Sequence, residues 1–283
     1  MRRKCFPLTL LAGLLVFLGT SVYADHDGDT DLPVLTHLPV TPTLAASTIP
    51  PNGDVNPYGV AFVPAGFPGG GPLHPGDILV SNFNGNANLQ GTGTTIVSLD
   101  RNGQLAVFFQ GQQGLGLSTA LGVLKKGYVV VGNLPSANGL GVCTEGTNGE
   151  EMGAEQGSLI ILDANGKHVK NLASAKYLNG PWDLTVRDDG DHAHVFVSDA
   201  ISGKVARIDL RVSAQRKGDK NGEDNGIVVE GETIIASGYP HRCDPAAFVI
   251  GPTGLALDAQ KDILYIASTG DNAIYAVHDA TDT

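Results

Sequence analysis

One strand pattern recurs four times along this chain, and it dictates the fold. Each copy opens on a Gly- or Pro-marked turn, then runs through a short apolar strand, a second turn and a stronger β-branched strand. A polar loop and further alternating strands follow. The first copy reads NPYGVAFV (56–63), GDILVSN (76–82), TTIVSLDRNG (94–103) and LAVFF (105–109). The second reads STALGVL (118–124), KGYVVVGN (126–133), GSLIILDANG (157–166) and HVKNLA (168–173). The third reads GPWDLTV (180–186), HVFVSD (194–199), KVARIDL (204–210) and ETIIAS (232–237). The fourth reads GPTGLALD (251–258), DILYIAST (262–269) and NAIYAVHD (272–279). Short apolar runs between turn residues are the signature of strands, and no helical period of useful length competes with them. With Gly59, Ala120, Asp183 and Gly254 as equivalent anchors, the copies stand 61, 63 and 71 residues apart.

A four-stranded meander cannot bury both of its faces alone; stacking such units around an axis does. The expected fold is therefore all-β, a β-propeller of four-stranded antiparallel blades over residues 56–283, with units starting near 56, 118, 180 and 251. The spacing exceeds the ~40–50 residues of an ordinary blade because loops are inserted. The largest inserts run over 134–156 and 215–226. The 38 glycines then read as turn punctuation rather than disorder, since 42% of the residues are hydrophobic.

The order P-x-G-[LV]-A, then [IV]-Y-[IV]-[AS]-[DST], then I-x-x-[VL]-D-x-x-G resembles the NHL-repeat propellers. GPTGLALDAQKDILYIASTGDNAIYAV (251–277) and NPYGVAF with GDILVSN carry it best, and the likeness covers about residues 56–279. It departs where the second unit lacks a leading proline and where Asp183 replaces the typical glycine. The resemblance implies a six-bladed ring, in a family that includes both binding modules and enzymes. Six units at this spacing need more residues than the chain has, so four visible blades are expected to form an incomplete six-bladed ring.

Residues 1–24 read as an export signal. Arg2, Arg3 and Lys4 precede an apolar stretch from Leu8 to Leu18, and Val22-Tyr23-Ala24 supplies a small-x-small cleavage site. The stretch is shorter than the ~20 residues of a membrane span, so no span is expected after cleavage. Residues 25–55, with the acidic run DHDGDTD (25–31) and five prolines, read as a leader. Cleavage takes three basic residues and moves the net charge from −11 to −14, which argues against nucleic-acid partners. A secreted or periplasmic location follows. The two remaining cysteines, Cys143 and Cys243, then favour one disulfide, with separate buried thiols as the alternative. Propeller topology places both on the face formed by second-to-third loops and blade-to-blade connections.

That loop-rich face also gathers Asn82, Asn133, Asp199 and Thr269 at the ends of second strands, and Asn56, Ser118, Asn179 and Asp183 at the starts of inner strands. Two functions fit it. The first is a binding module without catalysis, holding a small molecule, glycan or protein, with no required cofactor. The second is a calcium-dependent lactonase or hydrolase similar to the gluconolactonase-like propellers. In that reading Asn133, Asp183 and Asp199 hold the metal and an aspartate acts as base. The missing inner-strand glutamate argues against it, and turn hydrogen bonding alone also accounts for Asn and Asp at these places. Trp182 is a candidate ligand platform and equally a blade-packing residue. His192 and His194 face one side of a strand and have zinc-ligand types, but they sit in a short polar hairpin. The runs 25–31 and 218–226 have calcium-loop composition without the D-x-[DN]-x-[DN]-G order.

Overall fold

Turn-forming residues cut the chain into strands, and the strands pair almost as the repeat predicts. The computed structural model describes residues 46–135, 144–145, 151–152, 156–214, 226–244 and 246–282. Blade one contains β1 (Val55–Phe62), β2 (Ile78–Asn84), β3 (Thr95–Leu99) and β4 (Leu105–Gln110), antiparallel in that order. Blade two starts with β5 (Leu117–Leu124) and β6 (Tyr128–Asn133). A small hairpin of β7 (Thr144–Glu145) and β8 (Glu151–Met152) interrupts it before β9 (Ser158–Leu162) and β10 (His168–Leu172) complete the sheet. Blade three is β11 (Pro181–Asp188), β12 (His192–Asp199), β13 (Lys204–Val212) and β14 (Ile227–Ser237). A second hairpin, β15 (Arg242–Asp244) with β16 (Phe248–Ile250), leads to the three-stranded blade four: β17 (Pro252–Asp258), β18 (Ile263–Ser268) and β19 (Ala273–His278). The protein is an all-β, four-bladed β-propeller, with no helix among the described residues.

The apolar run in β6 shows why the blades stack. Successive side chains leave a strand on opposite sides. Val129 and Val131 join Leu79, Ile96 and Phe108 of blade one, while Tyr128 and Val130 join Leu184, Val195 and Val197 of blade three. Both faces are therefore dry, and each fully buried side chain of this size contributes about 1.5–3 kcal/mol. Phe196 and Val205 repeat the arrangement against Leu264 and Ile266 of blade four. Hydroxyl groups then fasten each blade to the inner strand of the next. Ser81 Oγ donates to Ser118 O at 3.1 Å, and Ser198 Oγ donates to Thr253 O at 2.8 Å. Thr119 Oγ1 donates to the Trp182 carbonyl in the same sense.

Among the described residues, the two outermost faces lack such neighbours. Val60 and Phe62 of β1 are 58% and 68% exposed, whereas Leu121 and Leu184, which correspond to Val60, are each 6% exposed. Ile274 of β19 is 70% exposed. Among the described residues, these apolar side chains of the first and last blades are left uncovered. Residues ahead of β1 are seated on blade one. Ala46 packs against Val80, Val97 and Leu99, and the Asp54 carboxylate accepts from Thr94 N and Thr95 Oγ1 at 2.8 and 2.7 Å.

Candidate functional site

Each inner strand breaks register near its start. The shifts fall between Pro57 and Gly59, Leu117 and Leu121, Pro181 and Leu184, and Pro252 and Leu255. A bulge inserts unpaired residues and re-aims their side chains. Here the re-aimed residues converge: Tyr58, Thr119, Trp182, Asp183 and Thr253 line one cavity of about 760 Å³. Ala247, Val249 and Ile250, from the connection between blades three and four, close one wall. The volume lies within the ~300–1,000 Å³ of ordinary small-molecule sites. Gly59 is required here. A Cβ at that position would lie 2.5 Å from Thr119 O, so β1 and β5 approach as closely as they do only without a side chain.

An aromatic cluster fills one end. Trp182 stacks on Phe248 at 5.7 Å between centroids and meets Phe83 edge-on at 5.5 Å. Tyr58 stacks on Phe83 at 4.7 Å and meets Trp182 edge-on at 6.0 Å. Trp182 is only 4% exposed, so its ring chiefly packs the blades; Tyr58, 41% exposed, is the accessible aromatic face. Phe248 holds φ at +69°, a left-handed conformation that costs about 1–2 kcal/mol in a residue with a Cβ. Its ring contacts with Trp182 and Phe83 offset that strain.

The polar residues at the strand ends have other employment. Asn82, Asn133 and Asp199 stand opposite Pro57, Leu117 and Pro181, one per blade. Asn82 Nδ2 donates to Thr48 O at 2.9 Å, while its buried Oδ1 has no partner among the described residues. Asn133 Nδ2 donates to Leu115 O, and its Oδ1 accepts from Ser158 N and Oγ. Asp199 accepts from the N–H groups of Asn179, Gly180 and Ser202 at 2.8, 2.9 and 3.1 Å. In blade four the register places Ser268, not Thr269, opposite Pro252. Thr269 Oγ1 exchanges hydrogen bonds with Gly251 and lines the cavity. Asn133 and Asp199 thus hold loop backbone, and of the three residues expected to share a metal only Asp183 lines the cavity.

Asp183 occupies different surroundings. Its Oδ2 accepts from Leu255 N at 2.8 Å across the junction with blade four, and its own N–H donates to Ser198 Oγ. Burial pushes its carboxyl above the usual aspartate range, against the opposing pull of the hydrogen bond from Leu255 N–H. Elsewhere, His194 Nδ1 pairs with Asp209 at 2.7 Å and His192 with Glu230 at 3.5 Å, so the two imidazoles serve different carboxylates. Among the described residues, no group of three or more His, Cys, Asp or Glu could hold a metal. Cys143, the run 25–31 and residues 218–225 lie outside the described residues.

The sequence reading missed Tyr58, Phe83, Thr119, Phe248 and Thr253. A signal was present for three of them: Tyr58, Thr119 and Thr253 share with Trp182 the position one residue before each repeat anchor.

No protein-family model matches the chain, and no curated protein sequence does. Among solved structures, the chain is similar to a Bombyx mori beta-fructofuranosidase in complex with sucrose, at TM-score 0.41 and 11% identity over 79% of this chain. It spans 43% of that protein's length. It is also similar to a streptogramin B lyase, at TM-score 0.34 and 16% identity over 80% of this chain and 70% of the lyase.

Proposed function

We propose that this chain is an exported, NHL-like β-propeller binding module that holds a small organic ligand in the inner-strand cavity at its loop-rich end. The supporting observation is the convergence of four bulged inner strands on one cavity, with an accessible tyrosine and, among the described lining residues, a single carboxylate beside aliphatic and threonine side chains. The export reading draws on the Arg2–Ala24 signal pattern and the acidic mature charge. No helix of the described residues is long and apolar enough to cross a membrane.

The same reading includes a Cys143–Cys243 disulfide. Strand β7, which begins one residue after Cys143, contacts β15, which carries the buried Cys243. Titration of denatured, unreduced mature protein should then detect no free thiol, and two free thiols would remove the bridge. The calcium-dependent lactonase reading is the weaker of the two. Two of its three candidate ligands, Asn133 and Asp199, spend their oxygens on backbone and serine donors.

A screen of small organic compounds by melting-temperature shift tests the module. Hits that weaken in Tyr58→Ala support it. Hits indifferent to both Tyr58→Ala and Asp183→Asn would place the ligand elsewhere and sink the proposal.

A further inference from the structure

We propose that the cavity ligand carries a protonated amine, seated against Asp183 with its apolar body along the inner-strand walls. The inference rests on the cavity being a ligand site and names the ligand's chemistry.

The repeat itself singles Asp183 out. Its equivalents in the other blades are Gly59, Ala120 and Gly254, all small and uncharged. One blade therefore breaks the repeat by placing a carboxylate at the bulge that aims into the cavity. The Leu255 N–H that donates to it is neutral. It orients the carboxylate without cancelling its charge. Among the described residues that line the cavity there is no Lys, Arg or His. A half-buried carboxylate with no cation beside it is costly unless something supplies the counter-charge. The upward push on its carboxyl agrees with such an uncompensated site.

The remaining walls select among cations. Val60, Leu121, Leu184 and Leu255 supply aliphatic surface beside Thr119, Thr185, Thr253 and Thr269, a mixture that suits an organic body with a polar end better than a hydrated inorganic ion. The accessible Tyr58 ring offers a face that attracts ammonium groups. Carboxylates and phosphates meet the Asp183 carboxylate here with no cation among the described lining residues, and are expected to be refused.

Trp182 is the only tryptophan of the chain and lines the cavity, so its emission reports occupancy directly. The mature full-length chain is titrated at neutral pH with benzylammonium, its neutral isostere benzyl alcohol, benzoate and calcium chloride. Benzylammonium is expected to bind at least about tenfold more tightly than the alcohol, as a hydrogen bond to a charged partner predicts. Benzoate and calcium should leave the emission unchanged. In Asp183→Asn, benzylammonium should fall to the affinity of the alcohol while the alcohol stays as it was. Equal binding of ammonium and alcohol would overturn the amine and leave the cavity standing as a site. So would an ammonium preference that survives Asp183→Asn, or saturable displacement by calcium. Failure of every organic probe to alter either emission or melting temperature would overturn the amine and the cavity reading together. The wild-type comparison of ammonium with alcohol decides the matter even if the variant does not fold.

Discussion

Two aspartates on the β11–β12 hairpin show how little residue type reveals about role. Asp199 is fully buried and accepts from three backbone N–H groups, so it is a knot that ties the 179–180 turn and Ser202 to the end of β12. Replacing it with alanine strands those donors. Asp199→Ala is expected to lose about 1–3 kcal/mol, read as a lower urea midpoint. Asp183 behaves in the opposite way. Burial raises its carboxyl, so the folded state holds that proton more tightly than the unfolded chain, and the charged form lowers stability at neutral pH. This loss is relieved as the pH falls through the raised value. Asp183→Asn keeps an oxygen for Leu255 N–H and removes the charge. Its melting temperature should therefore gain on the wild type at pH 7, and the gain should shrink toward pH 4. A gain that is the same at both values would contradict the assignment. Both residues were readable as polar groups at strand ends. Which one faced backbone and which faced the cavity was not, because the bulge between Pro181 and Leu184 decides that and leaves no compositional mark.

At the scale of elements, the strands were legible wherever burial imposed alternation or a continuous apolar run, as in YVVVGN of β6. The hairpins β7–β8 and β15–β16 were not, since strands of two or three residues are too short to show a period. The second of these contributes a wall of the cavity and the strained Phe248, so an important part of the site escaped the sequence. The blade-four equivalence slipped by one residue for a similar reason: IAST offers both Ser268 and Thr269, and only the pairing with Pro252 selects the serine. The hydroxyl fastening of inner strands is the element-level feature most open to test. Ser198 Oγ accepts from Asp183 N at 3.0 Å and donates to Thr253 O, linking β11, β12 and β17. Ser198→Ala leaves a partly buried donor, Asp183 N–H, and a partly buried acceptor, Thr253 O, unmatched. It should lose about 1–3 kcal/mol of unfolding free energy in urea, and Ser198→Thr should recover part of that loss.

Among the described residues, the molecule is a series of three apolar blade junctions. Its repeats, strand order and apolar seams were all present in the sequence as period and alternation. The fate of the two terminal faces was not, because an apolar residue reads the same whether or not a neighbour covers it. The exposure of Val60, Phe62 and Ile274 gives this arrangement a thermodynamic character of its own. Blades two and three each lean on two neighbours, whereas blades one and four each lean on one. In a nearest-neighbour chain of this kind, a unit with one interface opens more cheaply than a unit with two. Amide hydrogen exchange should therefore be slowest in β6, β9 and β12, and faster in β2 and β18, although all five are central strands of their sheets. Uniform protection across the five would mean that the molecule opens as one unit. The graded outcome would mean that the outer blades breathe while the middle pair holds, so that the cavity wall built from β1 and β17 loosens long before the fold is lost.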